Sequence, residues 1–305
     1  MATIAASASA LPEGITDPNY KPLPGRLGNL TIPQQHALEK LKKELIAEEI
    51  YIEGEPRMSD ATLLRFLRAR KFDVPKAKEM FCNNEKWRKD FGVDDIVQNF
   101  KFPELTTVDK YYPQFYHKHD KDGRPVYVER LGLLDLNALY AATTQERQLK
   151  RFVLEYEKFL YERLPACSAA AGHPVETSCT IMDLQNVSLT NFYRVKDYVM
   201  QASKIGQDHY PECMGKFYII NAPFMFSTVW TLIKPWLDEV TVAKIDIIGK
   251  DYKGKLLAQI DANDLPKQFG GNCDCPGGCS LSDAGPWNTA NKTVESESGG
   301  RVLSA

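Results

Sequence analysis

The stretch Glu176-Thr177-Ser178-Cys179-Thr180-Ile181-Met182-Asp183 decides how the chain is read. It has the composition and flanks of a strand, and side chains of a strand point alternately to its two faces. Ser178 and Thr180 therefore share one face, and Cys179 and Ile181 share the other. A face carrying two hydroxyls needs hydrogen-bond partners if it is buried. If it is not buried, it meets solvent. The spacing leaves both readings open.

Outward from this strand, others follow. Residues 114–117 form a short aromatic segment that leads into the turn signal Asp120-Lys121-Asp122-Gly123. Residues 124–130 alternate, with Val126 and Val128 on one side and Tyr127 and Glu129 on the other. Residues 216–221 and 245–249 read as further strands. Helical patterns lie between them. Thr143 and Glu146 make a capping box for a helix that runs to about residue 164 with Leu149, Phe152, Val153, Tyr156 and Leu160 on one stripe. Residues 195–209, 224–237 and 238–244 also read as helical. Strands alternating with helices imply an α/β fold with a mainly parallel sheet and right-handed crossovers.

Before the sheet, three amphipathic helices form a module over residues 31–100. Thr31 caps the first, with Pro33 in its first turn and Leu38, Leu41 and Leu45 at helical spacing. The second, residues 59–70, buries Leu63, Leu64 and Leu67 and exposes Arg65 and Arg68. Asp73 and Pro75 open the third, which carries Met80, Phe81, Trp87 and Phe91. Residues 1–30 read as a flexible arm, 104–277 as the sheet domain and 280–305 as a polar tail.

Composition narrows the classes. Of 305 residues, 43% are hydrophobic and 26% charged, which specifies a globular chain. Lys and Arg number 38 against 40 Asp and Glu. That balance argues against nucleic-acid binding by bulk charge and against purely electrostatic membrane docking. No apolar run reaches the roughly 18–20 residues of a spanning helix. Residues 1–12 lack the basic start of a signal peptide, and seven cysteines, an odd number, fit a reduced cytosolic chain.

The chain lacks G-x-S-x-G, G-x-G-x-x-G, the P-loop and H-E-x-x-H. No catalytic residue is nominated, and an enzyme is the weaker class. His117 and His119 read as solvent-exposed histidines beside a turn. Cys273, Cys275 and Cys279 follow C-x-C-x3-C, an uncommon zinc spacing with no histidine nearby; three thiolates hold zinc only if a fourth ligand arrives, so the stretch is read as a loop, the metal reading stays open, and no other cofactor is expected. Tyrosines concentrate over the strands and the helix between them: Tyr111, Tyr112, Tyr116, Tyr127, Tyr156 and Tyr161. The run Phe224-Met225-Phe226-Ser227-Thr228-Val229-Trp230-Thr231-Leu232-Ile233-Lys234-Pro235-Trp236 is apolar round most of its circumference. Such a helix is buried or meets another apolar phase.

Several blocks carry a resemblance. Leu63-Leu64-Arg65-Phe66-Leu67-Arg68-Ala69-Arg70-Lys71-Phe72-Asp73 resembles the helical entry to a CRAL-TRIO lipid-binding domain, and 176–183 resembles that domain's central strand. Tyr210-Pro211-Glu212, Phe217-Tyr218-Ile219-Ile220-Asn221-Ala222-Pro223 and Leu265-Pro266-Lys267-Gln268-Phe269-Gly270-Gly271 look like later landmarks. From about residue 25 to 290 the chain is similar to fungal phosphatidylinositol/phosphatidylcholine transfer proteins. The departures are both termini, the cysteine-rich stretch after Gly271, and Cys213, where a basic residue can stand in the family.

The resemblance implies a lipid pocket closed by a mobile helix and exchange of two phospholipids between membranes. It assigns Arg70, Lys71, Glu212, Thr241 and Lys244 to phosphatidylinositol. It assigns Tyr116, Tyr127, Tyr156, Ser178 and Thr180 to phosphatidylcholine, and Phe224, Phe226 and Trp230 to the gate. It implies a bound phospholipid as ligand, a monomer, transient contact with Golgi or endosomal membranes from the cytoplasm, and possible presentation of phosphatidylinositol to lipid kinases. The alternatives are a carrier of another apolar ligand such as a sterol and, less in keeping with the residues, a lipid-metabolising enzyme.

Overall fold

The computed structural model describes residues 14–288 apart from Ser188, Met225 and Asp238, with backbone alone for 189–196. Residues 1–13 of the expected arm and 289–305 of the expected tail lie outside the described residues. The chain forms two compact units. Among the described residues, the first comprises 14–100 with 172–174 and 201–213, and the second holds the remainder.

The first unit is helical. Helix Ile32–Ala47 begins with a complete capping box: Thr31 Oγ1 accepts from the Gln34 amide, and the Gln34 side chain accepts from the Thr31 amide. Helices Asp60–Ala69 and Val74–Phe91 follow, capped by Ser59 and Asp73. Leu38, Leu41, Leu45, Leu63, Leu64, Leu67 and Phe81 meet in one core. A further helix, Val93–Asn99, completes the set.

The expected exposure of Arg65 and Arg68 is wrong. Arg65 is buried, and its guanidinium donates to Thr62 Oγ1 at 3.2 Å and Cys213 Sγ at 3.7 Å. The Arg68 side chain is nine-tenths covered and donates to the Gly25 carbonyl at 3.0 Å. Both arginines satisfy polar groups that packing would otherwise orphan. Residues 14–30 are also fastened rather than loose. Leu27 and Leu30 pack on the helical core, and Tyr20 stacks on His173 at 4.8 Å. Gly25 has φ +76°, and Phe72 and Arg68 stand within 3.4 Å of where a Cβ would be, so a side chain there would be strained.

The second unit is built on a five-stranded sheet in the order β1 (Gln114–His119), β2 (Pro125–Arg130), β3 (Ser178–Asp183), β4 (Met214–Ile220), β5 (Ile245–Ile247). β1 runs antiparallel to β2, and the rest are parallel. The α/β expectation holds, with helices on the sheet. Phe115, Val126, Val128, Cys179, Ile181, Tyr218 and Ile220 form one face and pack with Leu256, Ile260, Leu265 and Phe269. Helix Lys253–Gln259 covers this face, and its signal escapes a sequence reading because it is only two turns long.

Two expectations need correction. The capping residue of helix Gln145–Lys158 is Thr144, which accepts from the Arg147 amide. Thr143 instead donates to Glu104, whose carboxylate also holds Arg147. That helix continues through a π-helical turn, Phe159–Arg163, into Leu164–Ala171, well beyond residue 164. Residues 280–288 are not a solvated tail: Ala284 is buried and accepts from the Lys118 amide at 2.6 Å.

In the first unit the His209 ring stacks on Trp87 at 3.8 Å. Burial holds its pKa down to about 4. Unfolding restores an ordinary imidazole, so protons bind the unfolded chain preferentially between pH 6.5 and 4. Urea unfolding should therefore show stability falling as pH drops through this window. His209→Phe, which keeps the stack and removes the titrating group, should flatten the decline. An unchanged slope would show that His209 does not contribute to it.

Candidate functional site

The sheet face opposite the Val126–Ile181 core is the candidate site. Register aligns Tyr116 with Tyr127, Tyr127 with Thr180, Thr180 with Phe217 and Phe217 with Ile245 in one row across five strands. The adjacent row runs Gln114, Glu129, Met182, Ile219, Ile247. The face is thus polar and aromatic over β1, β2 and part of β3, and apolar over β4 and β5.

The predicted phosphatidylcholine residues gather at the polar end. Tyr116 is buried, with its ring 5.0 Å from Tyr127 and 5.9 Å from Phe159. Tyr156, half-buried on helix Gln145–Lys158, meets Phe159 edge-on at 6.4 Å. Thr180 is buried and Ser178 half-buried on the same face of β3. On that face Thr180 stands in register beside Tyr127 and is covered from solvent, whereas Ser178 is only half covered. Burial raises the Tyr127 pKa well above its ordinary value, so the phenol remains a neutral donor at physiological pH.

Sequence reading missed the charged members. Arg163 sits over the Tyr116 ring at 4.3 Å and pairs with Glu155 at 2.9 Å and Asp283 at 3.6 Å. Its buried Nε and Nη1 have no hydrogen-bond partner among the described residues. Buried donors of this kind suit an anion. Glu129 accepts from the Tyr112 hydroxyl, and burial raises its pKa. The spacing of Arg163 from Tyr156 spans the π-helical turn, where α-helical periodicity gives the wrong direction.

At the apolar end, helix Phe226–Ile233 lies on the sheet. Phe226 and Val229 are buried with Leu184 and Ile219, and Trp230, Ile233, Met182 and Phe217 pack around them. The expected helix over 224–237 is therefore shorter: Lys234–Trp236 is a 3-10 turn at Pro235, which cannot continue the ladder. Of the three gate residues, Phe226 is buried, Trp230 half-buried and Phe224 99% exposed. A crevice nearby, lined by Tyr112, Leu131, Leu136, Leu139, Tyr198 and Val199, admits about a single water molecule.

The predicted phosphatidylinositol residues fall in both units. In the first, Arg70 caps helix Asp60–Ala69, and Lys71 follows, exposed. Lys71 and Phe72 have φ +52° and +61°, a left-handed corner that costs non-glycine residues about 1–2 kcal/mol each. The Phe72 amide donates to Leu67 O at 2.7 Å and holds it. Glu212, also left-handed at φ +59°, places its carboxylate 3.8 Å from Arg68, two residues before Arg70. Arg68 supplies the charge partner that Cys213 does not. In the second unit, Thr241 is half-buried within helix Glu239–Ala243 and Lys244 half-buried between that helix and β5; the Lys244 amide donates to Thr241 O.

The histidine and cysteine expectations are corrected here. His117 is fully buried, not solvent-exposed, and its Nε2 lies 3.3 Å from Cys273 Sγ. A strand far away in sequence thus supplies the histidine that the cysteine stretch lacks locally.

Comparison with known proteins fits this architecture. The CRAL/TRIO domain model matches residues 109–271, and the CRAL/TRIO N-terminal domain model matches 35–83. The chain belongs to the CRAL/TRIO family. It is 56% identical over 277 residues to the Sec14 cytosolic factor of Schizosaccharomyces pombe, covering 91% of this chain and 95% of that one. It is 55% identical to the SEC14 cytosolic factor of Candida glabrata, covering 88% of each. The phosphatidylinositol/phosphatidylcholine transfer protein SFH4 of Arabidopsis thaliana is 44% identical over 282 residues, 89% of this chain and 46% of its own. The crystal structure of Sfh5 shares the fold, with a TM-score of 0.59 at 19% identity, covering 79% of this chain and 95% of that one. Among the described residues no helix is long and apolar enough to cross a membrane.

The two faces of β3 should respond differently to truncation. Ile181→Ala, on the packed face, should cost about 2–5 kcal/mol. Thr180→Val, on the site face, should stay within about 1 kcal/mol by urea unfolding. Equal losses would mean that the Thr180 hydroxyl is a fold determinant and not a group held for a ligand.

Proposed function

We propose that the chain transfers phospholipids, exchanging phosphatidylinositol and phosphatidylcholine between membranes. The observation that carries this reading is the site face itself: a row of phenols and a hydroxyl runs directly into an apolar floor covered by a short apolar helix. That is the polarity profile of one phospholipid, headgroup to acyl chain. Relatives at 44–56% identity include a phosphatidylinositol/phosphatidylcholine transfer protein and Sec14 cytosolic factors, which supports this reading.

The energetics define the task. A two-chain lipid has about 30 methylenes, so exposing it to water costs on the order of 20 kcal/mol or more at ~0.8 kcal/mol each. A pocket as apolar as the bilayer removes that barrier with little net driving force. In the packing described, Phe226 and Val229 occupy the apolar floor. Acyl chains therefore enter by displacing helix Phe226–Ile233, and Phe224 and Trp230 meet the bilayer as it swings.

Tyr116, Tyr127, Tyr156, Ser178 and Thr180 hold phosphatidylcholine. Hydroxyls meet the phosphate, and aromatic faces meet the quaternary ammonium. Arg70, Lys71, Glu212, Thr241 and Lys244 serve phosphatidylinositol, with cations on the phosphate and Glu212 accepting from inositol hydroxyls or holding a cation. One acyl floor serves both lipids, so the two exclude each other. The chain acts from the cytoplasm as a monomer, touches Golgi or endosomal membranes transiently, and presents phosphatidylinositol to lipid kinases. No residue here is assigned to bond-breaking chemistry.

Paired transfer of the two labelled lipids from the same vesicles tests the headgroup assignments. Lys71→Ala or Lys244→Ala should weaken phosphatidylinositol transfer roughly 10–150-fold, the loss of one charge-assisted bond at ~1.5–3 kcal/mol, and spare phosphatidylcholine. Ser178→Ile with Thr180→Val should do the reverse. Parallel loss of both lipids in both variant sets would defeat the assignment.

The gate is tested by Phe226→Asp with Trp230→Asp. Transfer of both lipids should stop while far-UV circular dichroism stays native. Normal transfer from this variant would show that the helix is only core.

A further inference from the structure

His117, Cys273, Cys275 and Cys279 bring four ligand atoms within 4.8 Å of one another. None of the three cysteines is in a disulfide. His117 Nε2 lies 3.3 Å from Cys273 Sγ, and Cys273 Sγ lies 3.7 Å from Cys275 Sγ. A tetrahedral zinc ion with bonds of about 2.3 Å to sulfur and about 2.0 Å to nitrogen places sulfurs ~3.8 Å apart and sulfur and nitrogen ~3.5 Å apart. The His117–Cys273 and Cys273–Cys275 pairs already stand near those separations, and Cys279 offers its sulfur within 4.8 Å of the others. We propose that this cluster is a structural zinc site of the Cys3His type.

The backbone around the cluster is built to hold it. The Cys273 amide donates to Leu265 O at 3.1 Å, and its carbonyl accepts from the Lys267 amide at 3.0 Å. Gly271 approaches Leu265 O so closely that a Cβ would lie 1.9 Å from it. Gly277 and Gly278, with φ +77° and +96°, turn the chain back, and the Gly278 amide closes the turn on Cys275 O at 2.9 Å. That return brings Cys279 to the other two thiols, with its Sγ 3.7 Å from Cys273 O.

The outer groups orient the imidazole. Ser282 Oγ lies 3.4 Å from His117 Nδ1, leaving Nε2 toward the thiols, and the same hydroxyl donates to Cys279 O at 3.0 Å. Fixing the second ring nitrogen in this way sets the tautomer that a metal requires. Lys118, paired with Asp264 at 3.3 Å, is the adjacent fixed cation.

The ion would do a specific mechanical job. His117 belongs to β1, the strand at the sheet edge, and the three cysteines belong to the segment that leaves the domain. Joining them pins residues 273–288 along that edge. Asp283 and Trp287 lie on this segment, with Trp287 at 6.4 Å from Tyr116 and 5.6 Å from Arg163. The zinc thus secures the outer wall of the tyrosine cluster without touching a ligand.

The test uses the full chain, without a histidine tag, purified under reducing conditions. Elemental analysis should find about one zinc per chain, as a closed four-ligand site binds one ion. Cobalt added to chelated protein should give thiolate charge-transfer bands and the intense visible bands of tetrahedral coordination. Chelation should lower the Tm of the native chain, and zinc should restore it. His117→Asn and Cys279→Ser should each weaken cobalt binding at least tenfold and make the Tm insensitive to chelator. If a variant fails to fold, the cobalt spectrum and the chelator response of the native chain still decide. Metal-free protein that gives no tetrahedral cobalt spectrum would overturn the proposal. So would an intact mass showing two of the thiols joined in the reduced preparation.

Discussion

The period of two along β3 is the constraint on which the second unit rests. Cys179 and Ile181 are completely buried on one side, and the lateral partners Val126, Val128, Tyr218 and Ile220 extend that side into a continuous apolar surface. A slip of one residue would exchange this surface with the row Tyr127, Thr180, Phe217. It would bury phenols against Leu256 and Ile260 and leave aliphatic groups where a headgroup is to be met. The packed face therefore fixes the site face. Its chemistry is set by the register and needs no dedicated scaffold.

The first unit uses charge where the second uses alternation. The corner at Lys71 and Phe72 is conformationally expensive, and so is Glu212. These costs are offset nearby: Phe72 packs on the helical core, Arg68 ties to Gly25, and Glu212 meets Arg68. Held in this way, Lys71 projects from a turn that cannot relax into the helix before it. A cation on a rigid turn loses less entropy on meeting an anion than one on a free helix end.

Much of this was legible in the residues because it depends on local rules. Thr31 with Gln34, Ser59 and Asp73 start their helices for reasons visible within four positions, and the β3 alternation is visible within six. The failures share a cause: each depends on a partner distant in the chain. Arg65 looks solvent-bound until Cys213 arrives, and Thr143 looks like a cap until Glu104 takes its hydroxyl. His117 looks like a turn residue until the cysteine stretch folds over it. Residues 280–288 read as polar, yet their carbonyls and Trp287 find the edge of β1. The site residues themselves came from likeness to a family. Composition alone does not single out Tyr116 from Tyr111.

The π-helical turn Phe159–Arg163 has a consequence for how this chain tolerates change. It carries one residue more than an α-helical path would, and the stretch after it, Leu164–Ala171, buries Leu164 and Cys167. A residue added to an unbroken α-helix turns all that follows by about 100° around the axis. The wide turn takes up its extra residue in place, so the helix beyond it keeps its bearing. This segment therefore has one point at which a change of length can be absorbed. A residue gained or lost elsewhere between Gln145 and Ala171 would turn Cys167 off the core.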